Sequence, residues 1–182
     1  MSDAQNPITG GWSEFSLPSA DEKKILVGGV KPGAEHLSPL VVSKQHVHGW
    51  NYLFVANDGV QAIQGNKPFP VIVKVYVAPD KEPIVTQLHE IGHSGFVGSY
   101  GQFQDIGPET DGVLKEALGD HLGIDFKALA VSTQLVAGQN YLFAGNVAPK
   151  THNPHEYPAF VTVYKPGQGK ARIISIERAW EI

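Results

Sequence analysis

The chain of 182 residues contains no cysteine. It therefore has no disulfide, no thiol nucleophile and no thiolate metal ligand, and its core must hold by packing alone. Such a composition suits a reducing cytoplasm. Long apolar runs are missing too: no window approaches the roughly eighteen apolar residues that a membrane-crossing helix needs. The opening stretch MSDAQNPITGGW has neither a basic start nor an apolar segment, so no secretory signal is read there. Nor is there an excess of positive charge. Fourteen Lys and Arg stand against 18 Asp and Glu, a formal net charge of −4 and a pI near 6.0, which gives no electrostatic footprint for nucleic acid or an anionic membrane. The absences together predict a cytoplasmic protein with no nucleic-acid partner and no membrane partner.

What is present is a repeat. Residues 42–57 read VSKQHVHGWNYLFVAN and residues 131–146 read VSTQLVAGQNYLFAGN, with ten of sixteen positions identical at an offset of 89. The match continues on both flanks at an offset of 88: Gly10, Trp12 and Phe15 fall opposite Gly98, Tyr100 and Phe103, and Phe69 to Tyr76 opposite Tyr157 to Tyr164. A match held this far along a chain, with one residue gained or lost on each side of the central block, marks an internal duplication. A period of about ninety residues exceeds a solenoid repeat and predicts two small domains, 1–92 and 93–182, each with its own core.

Both copies predict the same order of elements. In the second, Val113, Leu114, Ala117, Leu118 and Leu122 form a helical stripe over 108–123, with Pro108 and Glu109 suited to the first turn. Four runs rich in Val, Ile, Phe and Tyr follow, over 126–137, 141–147, 157–165 and 171–179, separated by Gly, Pro and Asn. The first copy predicts a helix over 20–30 and strands near 40–48, 52–57, 69–78 and 84–91. A helix followed by an antiparallel meander is an α+β unit whose sheet lays one face on its helix.

These residues carry a resemblance. Gln134-Leu135-Val136-Ala137-Gly138 followed by Asn140-Tyr141 resembles the first inhibitory hairpin of the cystatin and stefin family of cysteine-protease inhibitors, whose loop pattern is Q-x-V-x-G. A glycine before a helix, this hairpin, and a second hairpin near the end match that family's three-part order, and the chain shows the order twice. The resemblance implies an α+β fold of two tandem cystatin-like domains, each a helix on a curved four- to five-stranded antiparallel sheet. It also implies a reversible competitive inhibitor of papain-like cysteine proteases, not an enzyme, that needs no cofactor and no metal. Exchange of a hairpin between molecules, giving a domain-swapped oligomer, is a further implication.

The residues that the resemblance assigns to the protease interface are the trunk glycines Gly10 and Gly11 with Gly98 in the second copy, the first tip Gln45-His46-Val47-His48-Gly49, the second tip Gln134 to Gly138, and the second loop at Pro166-Gly167. The physics of such an edge is occlusion. An apolar hairpin fills the enzyme's cleft without presenting a peptide bond in attack geometry. Leu135, Val136 and Ala137 supply small apolar area, and Gly138 is expected to permit the tight turn and a close approach to the enzyme. The second loop has Pro-Gly where the family often has Pro-Trp. At the first tip, imidazoles occupy both variable positions.

Two other readings compete. A sheet-and-helix unit of this kind can host a binding module that inhibits nothing. His89-Glu90-Ile91-Gly92-His93 also fits H-E-x-x-H, the zinc-peptidase motif, which requires a helix to bring its two histidines together. The first copy's last run aligns with Arg172-Ile173-Ile174-Ser175-Ile176, a β-branched stretch that predicts a strand instead.

Overall fold

The computed structural model describes residues 10–31, 34–59, 68–92, 99–119, 123–152 and 154–182. Helix α1 (Ala20–Gly29) precedes strands β1 (Leu37–Val47), β2 (Gly49–Asp58), β3 (Phe69–Val77) and β4 (Ile84–Glu90). Helix α2 (Pro108–Leu118) precedes β5 (Ile124–Val136), β6 (Gly138–Pro149), β7 (Tyr157–Lys165) and β8 (Arg172–Arg178). Each group of four pairs antiparallel in sequence order, giving two separate four-stranded sheets. α1 starts on a capping box in which Ser19 accepts from the Glu22 backbone N–H and Glu22 accepts from the Ser19 N–H. α2 starts on Pro108 after Gly107, and ends at Leu118, short of the run expected over 108–123.

Side chains alternate across each sheet. One face of the first sheet, with Tyr52, Phe54, Val73 and Val75, packs on Leu26 of α1. The matching face of the second, with Tyr141, Phe143, Val161 and Val163, packs on Leu114 and Ala117 of α2. The opposite faces meet each other. Phe15, Val41, Leu53, Val55 and Ile72 from the first half form one buried cluster with Phe103, Ala130, Leu142, Ala144, Phe160 and Ala179 from the second. The layers therefore run helix, sheet, sheet, helix.

This shared core corrects the expectation of two tandem cystatin-like domains with independent cores: two antiparallel four-stranded sheets and two helices build a single α+β domain. The physical reason is that one helix covers only one face of its sheet. Baring Leu53, Val55, Ile72, Leu142 and Phe160 to water would cost on the order of 10 kcal/mol, about the whole stability of an ordinary domain.

The segments before each helix bind the seam reciprocally. Asn146, 4% exposed, accepts from the Phe15 N–H at 2.7 Å and donates to the Phe15 carbonyl at 3.0 Å. Asn57 does the same for Phe103, at 2.7 and 2.9 Å. Phe15 and Phe103 both lie against the Phe160 ring, with centroids 6.2 and 6.5 Å away. Trp12, Tyr100 and Trp180 flank the shared cluster.

Candidate functional site

The Q-x-V-x-G segments fall at the tips of the β1–β2 and β5–β6 hairpins. In the second half, Val136 pairs with Gly138 and Ala137 alone makes the turn. Gln139 and Asn140 pair with Lys165 and Tyr164, so the Pro166–Gly169 turn between β7 and β8 lies at the same end of the sheet. On the other side of β5, the extended segment before α2 bridges Gln104 to Val131, and the Gly101 N–H donates to the Thr133 carbonyl at 2.9 Å. Three segments thus stand abreast at one end of one sheet. Leu135 is 77% and Val136 40% exposed, a bare apolar tip with no ionisable group on it. Pro166 and Gly167 complete the neighbouring turn; Gly98 lies outside the described residues.

Gly138 has φ +120°, and a Cβ there would come within 2.6 Å of the Lys165 carbonyl and 2.9 Å of the Tyr164 ring. It therefore lets β6 run close to β7, in keeping with the tight turn expected from the sequence. Tyr164 Oη donates to the Ala137 carbonyl at the apex. Glu116 on α2 accepts from Lys165 Nζ at 2.6 Å and from the Ala171 N–H at 3.1 Å, so one carboxylate holds both stems of the Pro166–Gly169 turn. The bond with Lys165, then that with Ala171, keeps its pKa below the usual carboxylate value.

The first half repeats the plan with different chemistry. The Gly10 N–H donates to the His46 carbonyl, and Gln45 Nε2 donates to the Gly10 carbonyl at 2.8 Å, which lays the trunk against the tip. Gly10 has φ +89° and Gly11 precedes the bridge from Trp12 to Gln45. The His46 ring lies 4.6 Å from the Trp50 ring on the partner strand. His48 makes the turn, Val47 is 36% exposed, and Gly49 has φ +113°. Tyr76 Oη donates to the His48 carbonyl, as Tyr164 does in the other half. In place of the Glu116 clamp, Glu22 on α1 pairs with Lys44 on β1 at 3.0 Å. Burial pushes the Glu22 carboxyl up, but its bonds to Ser19 and Lys44 outweigh that and leave its pKa lowered.

The glutamine of each motif is a brace. Asn51 Nδ2 donates to Gln45 Oε1 at 2.8 Å, and Asn140 Nδ2 to Gln134 Oε1 at 2.7 Å. Asn51, Asn140, Tyr76 and Tyr164 thus shape the two tips; the resemblance included Asn140, but it did not reach Tyr76 or Tyr164. Their signal was their recurrence at the repeat offset. Glu116 had no such signal, because Gly28 stands opposite it in the first copy.

The zinc-peptidase motif does not find its helix. His89 sits in β4, paired with Ile72, and His93 lies outside the described residues. Among the described residues, no group of three His, Asp or Glu side chains is placed to hold a metal ion, and no helix is long and apolar enough to cross a membrane. No protein-family model matches the chain, and no curated protein matches it.

Proposed function

We propose that this protein is a reversible competitive inhibitor of papain-like cysteine proteases, acting chiefly through the edge of its second half. The observation that carries the reading is the alignment of the Gly101-to-Gln104 segment, the Leu135-Val136-Ala137 tip and the Pro166–Gly169 turn at one end of one sheet, with Leu135 77% exposed. Single exposed aliphatic side chains are ordinary, and Leu17 is as bare; what sets this tip apart is that Leu135 and Val136 stand together on a braced turn, a contiguous apolar end that a partner's cleft can bury. The motif resemblance supplies the partner, a cleft with a thiolate and an imidazole at its floor. A tight hairpin fills such a cleft while its peptide bonds stay out of attack geometry.

The first half presents a second edge in which imidazole and indole replace leucine. Desolvating such polar rings against an apolar cleft is less favourable than desolvating Leu135, so the first edge ranks as the weaker head.

Titration of active-site-counted papain with the full chain tests the proposal, beside the variant Leu135→Glu/Val136→Glu. Both positions are exposed, so the variant should fold as wild type. We expect stoichiometric inhibition by wild type and at least a tenfold weaker constant for the variant. Absence of inhibition by the wild type across several papain-like enzymes rejects the function; equal inhibition by wild type and variant rejects the assignment of the edge.

A further inference from the structure

The near-symmetry of the two halves makes one asymmetry at their seam informative. On the inner face of the first sheet, Lys74 is covered: its Nζ donates to the carbonyl oxygens of Trp180 and Ile182, at 3.0 and 2.9 Å, and Gln87 also reaches the Ile182 carbonyl. The residue that corresponds to Lys74 in the second half, 88 positions on, is Thr162. Among the described residues, no lysine there takes up the chain-end carbonyls. Thr162 instead lines an open cleft of about 200 Å³ at the seam.

The cleft has two kinds of wall. Leu142, Phe160 and Ile182 offer an apolar floor, while Tyr100, Thr162 and Glu177 bring polar atoms to it. His89 and Glu177 are corresponding residues of the two halves and both stand at this one site. The site therefore exists only because the halves share a seam. Tyr100 and Glu177 line the same cleft, and burial and then the Glu177 charge raise the Tyr100 pKa. Lys74, the nearby cation, spends its hydrogen bonds on the Trp180 and Ile182 carbonyls.

We propose that this seam cleft binds a small organic cation, an ammonium head on a short apolar stem, with the stem against Leu142 and Phe160 and the head between the Glu177 carboxylate and the Tyr100 ring. A carboxylate edged by an aromatic face is the chemistry that recognises such a head, through charge and cation–π attraction together. The volume limits the ligand to a small fragment, well under the usual pocket range of roughly 300–1,000 Å³. Two sources share this chemistry: a free arylalkylamine and a lysine side chain of another protein. The inference is independent of the inhibitory edge.

The test is an amide-resolved NMR titration of the full chain with 2-phenylethylammonium, n-butylammonium and the neutral 2-phenylethanol, repeated on Glu177→Gln. Glu177 is exposed, so that variant should fold. We expect saturable shifts at Leu142, Phe160, Thr162 and Glu177, with affinity falling at least fivefold both for 2-phenylethanol and for the variant. Tighter binding of phenylethylammonium assigns the site to free aromatic amines, and equal or tighter binding of butylammonium assigns it to lysine stems. Unsaturable shifts spread over the acidic surface, or equal affinity of wild type and Glu177→Gln, overturn the proposal.

Discussion

Replacing Asn146 by alanine should destabilise the whole molecule, not one half of it. Asn146 satisfies both the N–H and the carbonyl of Phe15 in a buried setting, at 2.7 and 3.0 Å. Truncation leaves both backbone groups orphaned where Phe15 itself is 3% exposed. Each orphaned buried group costs about 1–3 kcal/mol, so a loss of about 2–4 kcal/mol is expected for the pair after local relaxation. For a chain of this length each kcal/mol moves the melting midpoint by about 2–4 °C, which places the shift at roughly 5–15 °C. Asn57→Ala removes the same pair of bonds from Phe103, but at a part-buried position where water can replace them, so it should cost about half as much. The assay is urea and thermal unfolding followed by far-UV circular dichroism and by fluorescence of Trp12, Trp50 and Trp180, which report from both halves. The two probes should coincide in one transition for wild type and both variants. Two separated transitions, with only one of them moved by Asn146→Ala, would refute the reasoning that the halves share one core.

Gly138→Ala and Gly49→Ala should each lose about 1–3 kcal/mol in urea unfolding, because positive φ and a blocked Cβ combine at both sites. Gly10→Ala, at φ +89° with nothing within 4 Å of its Cβ, should lose at most about 1 kcal/mol, and an equal loss at all three would contradict the steric account. The Glu22 carboxyl has a folded pKa below its ordinary value, so its stabilisation is present above the carboxylate range and is lost as pH falls through the folded value. The stability gap between wild type and Glu22→Gln should accordingly narrow from pH 6 to pH 3, and a constant gap in urea midpoints would count against it. Glu14 has the opposite sign, since burial and then the Glu156 charge raise its pKa. Its favourable contribution is lost as pH rises through the folded value, so Glu14→Gln should be neutral or stabilising at pH 7 in the same assay, and a clear destabilisation would show the carboxylate to be engaged elsewhere.

The order of elements was legible in the sequence because helix stripes and β-rich runs recur at the repeat offset; 157–165 matches β7 end to end. The relation between the halves differs from the one expected, although the sequence carries a signal for it. Tyr52-Leu53-Phe54-Val55-Ala56 and Tyr141-Leu142-Phe143-Ala144 are continuous apolar runs, with every residue buried. Alternation would have meant one wet face, and its absence means two dry ones. One helix can dry only one of them. Asn57 and Asn146 close the sixteen-residue match and read as strand punctuation, yet they are the seam's hydrogen-bonding groups. At the edge, the motif pointed to Leu135 and Val136, but nothing local in the sequence tells that Gln134 and Tyr164 face inward to brace the turn. Glu116 was invisible because its partners lie 49 and 55 residues away.

The reciprocal asparagine clasps have a consequence for how this chain can change. Each half is the missing wall of the other, so the duplicated copy is no spare: loss of either sequence would bare the inner face of the survivor. Drift is therefore confined to positions outside the shared core, and the hairpin ends are such positions. There the copies differ although the residues around them match, with leucine and alanine at one apex and two imidazoles at the other. A change at either apex leaves every seam residue untouched, which allows the two ends to be shaped for different partners while the body between them stays the same.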